Sequence, residues 1–137
     1  MSKILLAYVP SATSEAAFDF AVEEAERRDA SLLVLASERA PDPRKARGVT
    51  DQRPLQERLE ETGLGFELRT VPKRDDPADD ILDAVEHDDV DLVILGIRKR
   101  TPIGKILLGS TSQRVAIESP VPVVMVKPEG FVAPARF

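Results

Sequence analysis

Short apolar runs alternate with stretches of helical spacing along the whole chain. Ile4 to Val9 is a nearly continuous apolar run, and Leu32 to Ala36 and Leu92 to Leu95 repeat it. Runs this short and this rich in branched residues mark strands buried on both faces, as parallel strands are. Between the first two, Ala17, Phe18, Ala21, Val22 and Ala25 fall on one helical face reaching Asp29, with Ser11, Thr13 and Ser14 as capping oxygens at its start. Asp51 can cap a brief second helix in which Pro54 sits near the first turn, Leu55 and Leu59 share a face, and Gly63 ends it. Phe66 to Val71 sets Phe66, Leu68 and Val71 against Glu67 and Arg69, the alternation of an edge strand half open to water. Asp76-Pro77 opens a third helix with Ala78, Ile81, Leu82 and Val85 inward and Asp79, Asp80, Asp83 and Glu86 outward. A fourth helix from about Ser110 to Glu118 and a strand from Val121 to Val126, interrupted by Pro122, complete the pattern.

Strand and helix thus alternate throughout, which predicts an α/β fold: a doubly wound, five-stranded parallel sheet with helices on both faces, joined by right-handed crossovers. Alternation alone leaves the strand order open. Residues 37 to 51, with Pro41, Pro43 and Gly48, read as an exposed loop. A chain of 137 residues is sized for one domain, 1–137, with Pro128 to Phe137 as a tail.

Charge narrows the function. With 19 basic and 24 acidic side chains the net charge is −5, which argues against nucleic acid as a partner. No cysteine is present, so disulfides and thiolate chemistry are excluded and a reducing compartment, the cytoplasm, is expected. No apolar stretch is long enough to span a membrane, and Ile4 to Val9 is too short for a signal core. His87, the single histidine, sits beside Asp88 and Asp89 near a helix end and reads as a surface residue. Nothing resembles a Ser-His-Asp set, a paired-carboxylate site or a metal-ligand spacing, so no catalytic residue and no metal is expected.

One stretch does carry chemistry. After Leu92 to Leu95 the strand ends at Gly96, and the loop that follows holds Arg98, Lys99, Arg100 and Lys105, four of the nineteen cations within eight residues and no acid. Gly109-Ser110-Thr111-Ser112 then opens a helix. Unpaired N–H groups at a helix start, the positive end of its dipole, glycines and cations together suit an anion, and phosphate is the obvious one. A Walker loop is excluded because Gly104-Lys105 is followed by Ile106, and no dinucleotide glycine cluster exists. The plainer alternative is that Gly96 and Gly109 serve a strand end and a positive-φ turn, and that Ser110 only caps the helix.

The spacing resembles the nucleotide loop of the universal stress protein family, G-x2-G-x9-G-[ST]. Gly96 takes the first place and Gly109-Ser110 the last two, whereas Lys99 holds the middle position and Gly104 lies further along. The resemblance extends from Lys3 to Lys127. It implies strand order 3-2-1-4-5, a crevice between strands one and four bordered by Val9, Pro10 and Ser11 on one side and Gly96 to Lys99 on the other, and ATP or AMP as ligand. Gly96, Arg98, Lys99, Gly104, Gly109, Ser110 and Thr111 complete the expected ligand-binding set. Two departures matter: Val9 stands where nucleotide-binding members place an Asp, and Lys99 adds both a side chain and a charge. The resemblance therefore supports a non-catalytic sensor or accessory module that holds a phosphate-bearing ligand. The alternatives are a member that works by protein contact without nucleotide, or a slow nucleotide hydrolase or transferase using Arg98, Lys99 and Lys105. It also implies a homodimer through the last strand, with Val121, Val123, Val124, Met125 and Val126 at the interface.

Overall fold

The computed structural model describes residues 2–8, 12–37, 54–71, 77–97 and 109–128. The elements are β1 (Lys3–Tyr8), α1 (Ala12–Arg28), β2 (Ser31–Ser37), α2 (Leu55–Glu61), β3 (Phe66–Val71), α3 (Ala78–His87), β4 (Leu92–Gly96), α4 (Ser110–Glu118) and β5 (Val123–Val126). All strand pairings are parallel and the order is β3-β2-β1-β4-β5, as the family resemblance implied.

Strand parity divides the core in two. Ile4, Leu6 and Tyr8 of β1, with Leu32 and Val34 of β2 and Leu92 and Ile94 of β4, pack against Ala17, Phe18, Ala21 and Ala25 of α1 and Leu59 of α2. Leu5, Leu33, Leu35, Val93 and Leu95 point the other way, against Ala78, Ile81, Ala84 and Val85 of α3 and Val115 of α4. Period-two alternation puts consecutive residues on opposite faces, so a strand covered on both faces must be apolar throughout. The small residues of α1 let its backbone lie close to the sheet.

Helix exits follow local chemistry. Asp29 after α1 and Asp89 after α3 adopt φ of 50° and 55°, and Gly63 after α2 adopts 74°. Only glycine reaches this left-handed region without steric cost, and Asp is among the few other residues that tolerate it. Gly63 therefore ends α2 as its sequence suggests.

Some boundaries differ from expectation. Val121 and Pro122 lie outside β5: Pro122 has no N–H to donate, its carbonyl accepts a hydrogen bond from the Val93 N–H at 3.0 Å, and the regular ladder begins at Val123. Val121 instead closes a turn with the Ser119 hydroxyl, which donates to its carbonyl at 2.8 Å. Pro54 does lie near the first turn of α2, as the residue just before it, and makes no side-chain cap bond. Asp80 is half-buried rather than facing outward, because it sits beside the Ala78 and Ile81 stripe. Val9, Asp51 and Asp76 lie outside the described residues.

Candidate ligand crevice at the carboxyl edge of the sheet

The ladder between the two innermost strands of the reversal stops early. Ile4, Leu5 and Leu6 pair with Leu92, Val93 and Ile94. Beyond them β1 goes on pairing with β2 through Tyr8 and Ala36, and β4 with β5 through Gly96 and Val126. Ala7-Tyr8 and Leu95-Gly96 thus extend toward the carboxyl edge bonded to their outer neighbours and not to each other. Winding also reverses there, since β1 leads outward to β2 and β3 while β4 leads to β5 on the other side. In open α/β sheets this is the place where a crevice forms and a ligand is held.

Gly96 ends β4 at this edge, and the next N–H, that of Ile97, donates to the Val126 carbonyl at 2.8 Å. Gly109, Ser110 and Thr111 open α4. Gly109 is the capping residue, with φ −64° and ψ 157°, and contributes no side-chain cap bond. Its φ is ordinary for any residue, so the positive-φ explanation of this glycine does not hold. Ser110 is the first helical residue rather than the cap. No acid lies in the first turn of α4, so the helix dipole and its terminal N–H groups meet no carboxylate within the helix itself. Val9, Pro10, Ser11, Arg98, Lys99 and Gly104 lie outside the described residues. Arg114, further along α4, pairs with Asp79 of α3 at 2.8 Å and with Glu118 at 2.8 Å, which fastens the two helices together.

A polar cluster that sequence reading missed lies below the end of β1, on the α1 side. The Tyr8 hydroxyl donates to Glu15 Oε2 at 2.7 Å. Arg58 of α2 donates from both terminal nitrogens to the two oxygens of Glu15, each at 3.0 Å, and reaches the Tyr8 oxygen at 3.2 Å. Its guanidinium also lies 4.4 Å from the centre of the Phe18 ring, and Tyr8 meets that ring edge-on at 6.3 Å. Burial opposes the charge of Arg58, but its bonds to Glu15 and Tyr8 outweigh that and hold its pKa above the usual value. Burial, together with the bond to Glu15, pushes Tyr8 up to about 12. The overlooked signal was spacing: Arg58 falls at i+3 from Leu55, on the same stripe as Leu59.

A second ion cluster joins the edge strand β3 to the end of α3. Arg69 of β3 bonds both oxygens of Asp88, at 3.1 and 3.2 Å, and also Glu67. The bonds from Arg69 hold the Asp88 carboxyl below its ordinary value. Beside it lies an open cleft of about 240 Å³ floored by Leu35, Val71 and Ala84. Its cation is already clasped by two carboxylates, so an anion would compete with both. His87 is exposed, and its Nδ1 lies 2.8 Å from the Asp83 carbonyl, a bond that raises its pKa. Among the described residues no helix is long and apolar enough to cross a membrane.

Comparison with known proteins agrees with this architecture. The model of the universal stress protein family matches residues 1–127. A universal stress protein of Mycolicibacterium smegmatis is 39% identical over 131 residues, covering 93% of this chain and 99% of that one. The structure of a universal stress protein from Archaeoglobus fulgidus superposes with a TM-score of 0.72 at 27% identity, covering 93% of this chain and 99% of the other. A family member from Arabidopsis thaliana with AMP bound shares the fold at a TM-score of 0.66 and 20% identity, covering 95% and 94%. Two further universal stress structures, at 23% and 24% identity, hold dAMP and cAMP. By the match of the family model over residues 1–127 and the 39% identity to a relative along nearly its whole length, the chain belongs to the universal stress protein family.

Proposed function

We propose that this chain acts as one universal stress domain over 1–137. In this reading it binds an adenine nucleotide such as ATP or AMP, or another phosphate-bearing ligand, in the crevice between the ends of β1 and β4. The observation that carries this reading is the early stop of the β1–β4 ladder at Leu6 and Ile94, where the winding reverses. The α4 start without an acid, and the cations Arg98, Lys99, Arg100 and Lys105 between β4 and α4, favour the phosphate end of such a ligand. Relatives of the same fold that hold AMP, dAMP and cAMP support the adenine class.

In this reading the protein is a cytoplasmic sensor or accessory module. Val9 supplies no carboxylate for the sugar or base, so Pro10, Ser11, Gly96, Gly104, Gly109, Ser110 and Thr111 hold the ligand through backbone groups and hydroxyls. Arg98 and Lys99 take the phosphate charge. Phosphoryl transfer would need positioned groups beyond these cations, so binding is the function assigned. Calorimetric titration with ATP, ADP, AMP and inorganic phosphate tests it. A saturable signal from at least one nucleotide is expected, and silence from all four at millimolar concentration would leave protein contact as the family role of this member.

We infer a homodimer as well. Val123, Val124, Met125 and Val126 of the edge strand β5 are all half-buried within one chain. An edge strand this apolar is a template for another chain, and antiparallel pairing with its own copy across a two-fold axis covers it.

A further inference from the structure

The Tyr8–Glu15–Arg58 cluster has no part in the ligand reading above, yet it is tied to the last residue of β1, one of the two strands that border the proposed crevice. Tyr8 is the last residue of β1, Glu15 is in the first turn of α1, and Arg58 comes from α2. Three elements are thus tied together at one point of the carboxyl edge. Helix α2 depends on that point. It is only seven residues long, has no side-chain cap at its start, and buries only Arg58 and Leu59, with Leu55 partly covered. Leu59 supplies apolar contact, which holds a helix to a surface without fixing its exact placement. Arg58 supplies direction: two parallel bonds to one carboxylate and a third to Tyr8 admit one geometry.

Stability alone is a poor reason for such an arrangement, since a buried ion pair replaced by apolar groups of similar volume often leaves a fold as stable or more so. What the pair gives is a defined position for α2 relative to the end of β1. Tyr8 is bonded to both charged partners and immediately precedes Val9, Pro10 and Ser11 of the proposed site.

We propose that Arg58, acting through Tyr8 and Glu15, is a positioning residue that couples occupancy of the β1/β4 crevice to the placement of α2. The inference rests on the ligand reading above, and it assigns to α2 the output of that site.

The test uses the chain's own optics, for Tyr8 is its single tyrosine and there is no tryptophan. ATP and AMP are titrated into the full-length wild type, into Arg58→Met, Arg58→Lys and Tyr8→Phe, and into Leu59→Val, which loosens α2 without touching the cluster. Affinity is read by calorimetry, tyrosine emission where Tyr8 remains, and melting temperature without ligand. Nucleotide should change Tyr8 emission in the wild type, and Arg58→Met should lose about tenfold in affinity while Tyr8→Phe loses less, in the range of measured coupling effects. Arg58→Lys, which keeps the charge but not the fork, should recover only part. Leu59→Val should melt earlier and bind as the wild type does. Equal affinity in the wild type and all three cluster variants would overturn the coupling and leave the ligand reading intact. An affinity loss in Leu59→Val as large as that in Arg58→Met would also overturn it, by reducing the cluster to general support. A wild type that binds neither nucleotide would overturn the coupling, and silence from ADP and inorganic phosphate as well would overturn the ligand reading with it.

Discussion

The two edges of the sheet are built on opposite principles. β3 alternates apolar residues with Glu67 and Arg69, and Arg69 is clasped by Asp88 from the end of α3. β5 has no charge at all: Val123, Val124, Met125 and Val126 stand half-covered, and only Pro122 before them lacks a donor. Charge on an edge strand discourages pairing with a second chain, whereas an apolar edge invites it. The same sheet therefore carries one edge guarded against company and one without that guard, and the difference makes β5 the edge on which the proposed dimer is expected to form.

The largest effect that would break this contrast is a charge on the apolar edge. Val124→Asp or Met125→Asp, on whichever face the partner covers, should convert a dimer into a monomer, because an unpaired buried carboxylate costs several kcal/mol, about the scale of a weak dimer. Sedimentation of the wild type as a monomer at tens of micromolar would sink the β5 interface, and a dimer indifferent to both substitutions would move it elsewhere. The reverse experiment removes the guard. Glu67→Val combined with Arg69→Val should give β3 the character of β5, and light scattering should then report association beyond that of the wild type. Unchanged scattering would mean that β3 is protected by something other than its charges.

A smaller effect comes from acid. The Asp88 carboxyl is held below its ordinary value of 3.8 chiefly by its bonds to Arg69. A depressed carboxylate adds stability that is present above the unfolded value and lost as pH falls through the folded one. The Asp88 contribution should therefore be full above pH 3.8 and fade below it. Asp88→Asn should flatten that part of the acid unfolding curve, and an unaltered curve would show the clasp contributes nothing to stability. Because the pair is partly exposed, its effect on stability should be small, within the usual ~1 kcal/mol for such pairs.

The smallest expected change sits at neither edge and serves as the control between them. Tyr8 is pushed up to about 12. Its raised value means that folding favours the neutral phenol, an advantage present in full below 10.0 and lost as pH rises toward 12. Absorbance titration of the single tyrosine should show this delay, and edge substitutions at Val124 or Arg69 should leave it unmoved. A midpoint near 10.0 would mean the cluster is open to water.

Most of the layered architecture was legible in the sequence, for a physical reason. A strand covered on both faces has to be apolar throughout, so Ile4 to Leu6, Leu32 to Leu35 and Leu92 to Leu95 announced themselves. Strand order did not follow from alternation and came from the resemblance, because nothing local says whether β4 returns beside β1 or beside β3. At the site, the glycines at 96 and 109 marked a strand end and a helix start, where the structure has them. The cluster at Tyr8, Glu15 and Arg58 stayed hidden. Its members are 7, 43 and 50 residues apart, and LQERLEE looks like a solvated helix unless Arg58 is counted with Leu55 and Leu59 as part of the inward stripe. The start of β5 was misjudged because apolar Val121 outweighed the missing donor of Pro122.

The pairing of β1 with β4 also sets a schedule for biosynthesis. The Lys3 N–H bonds Asp91 Oδ2 across 88 residues of chain, so the inner edge of β1 cannot be closed until β4 has left the ribosome. At 5–20 residues per second that interval lasts roughly 4 to 18 s. Through all of it β1, apolar on both faces and paired at most with β2, waits with an open side. For this chain the hazardous moment falls before the sheet is complete, when its future centre is still an edge.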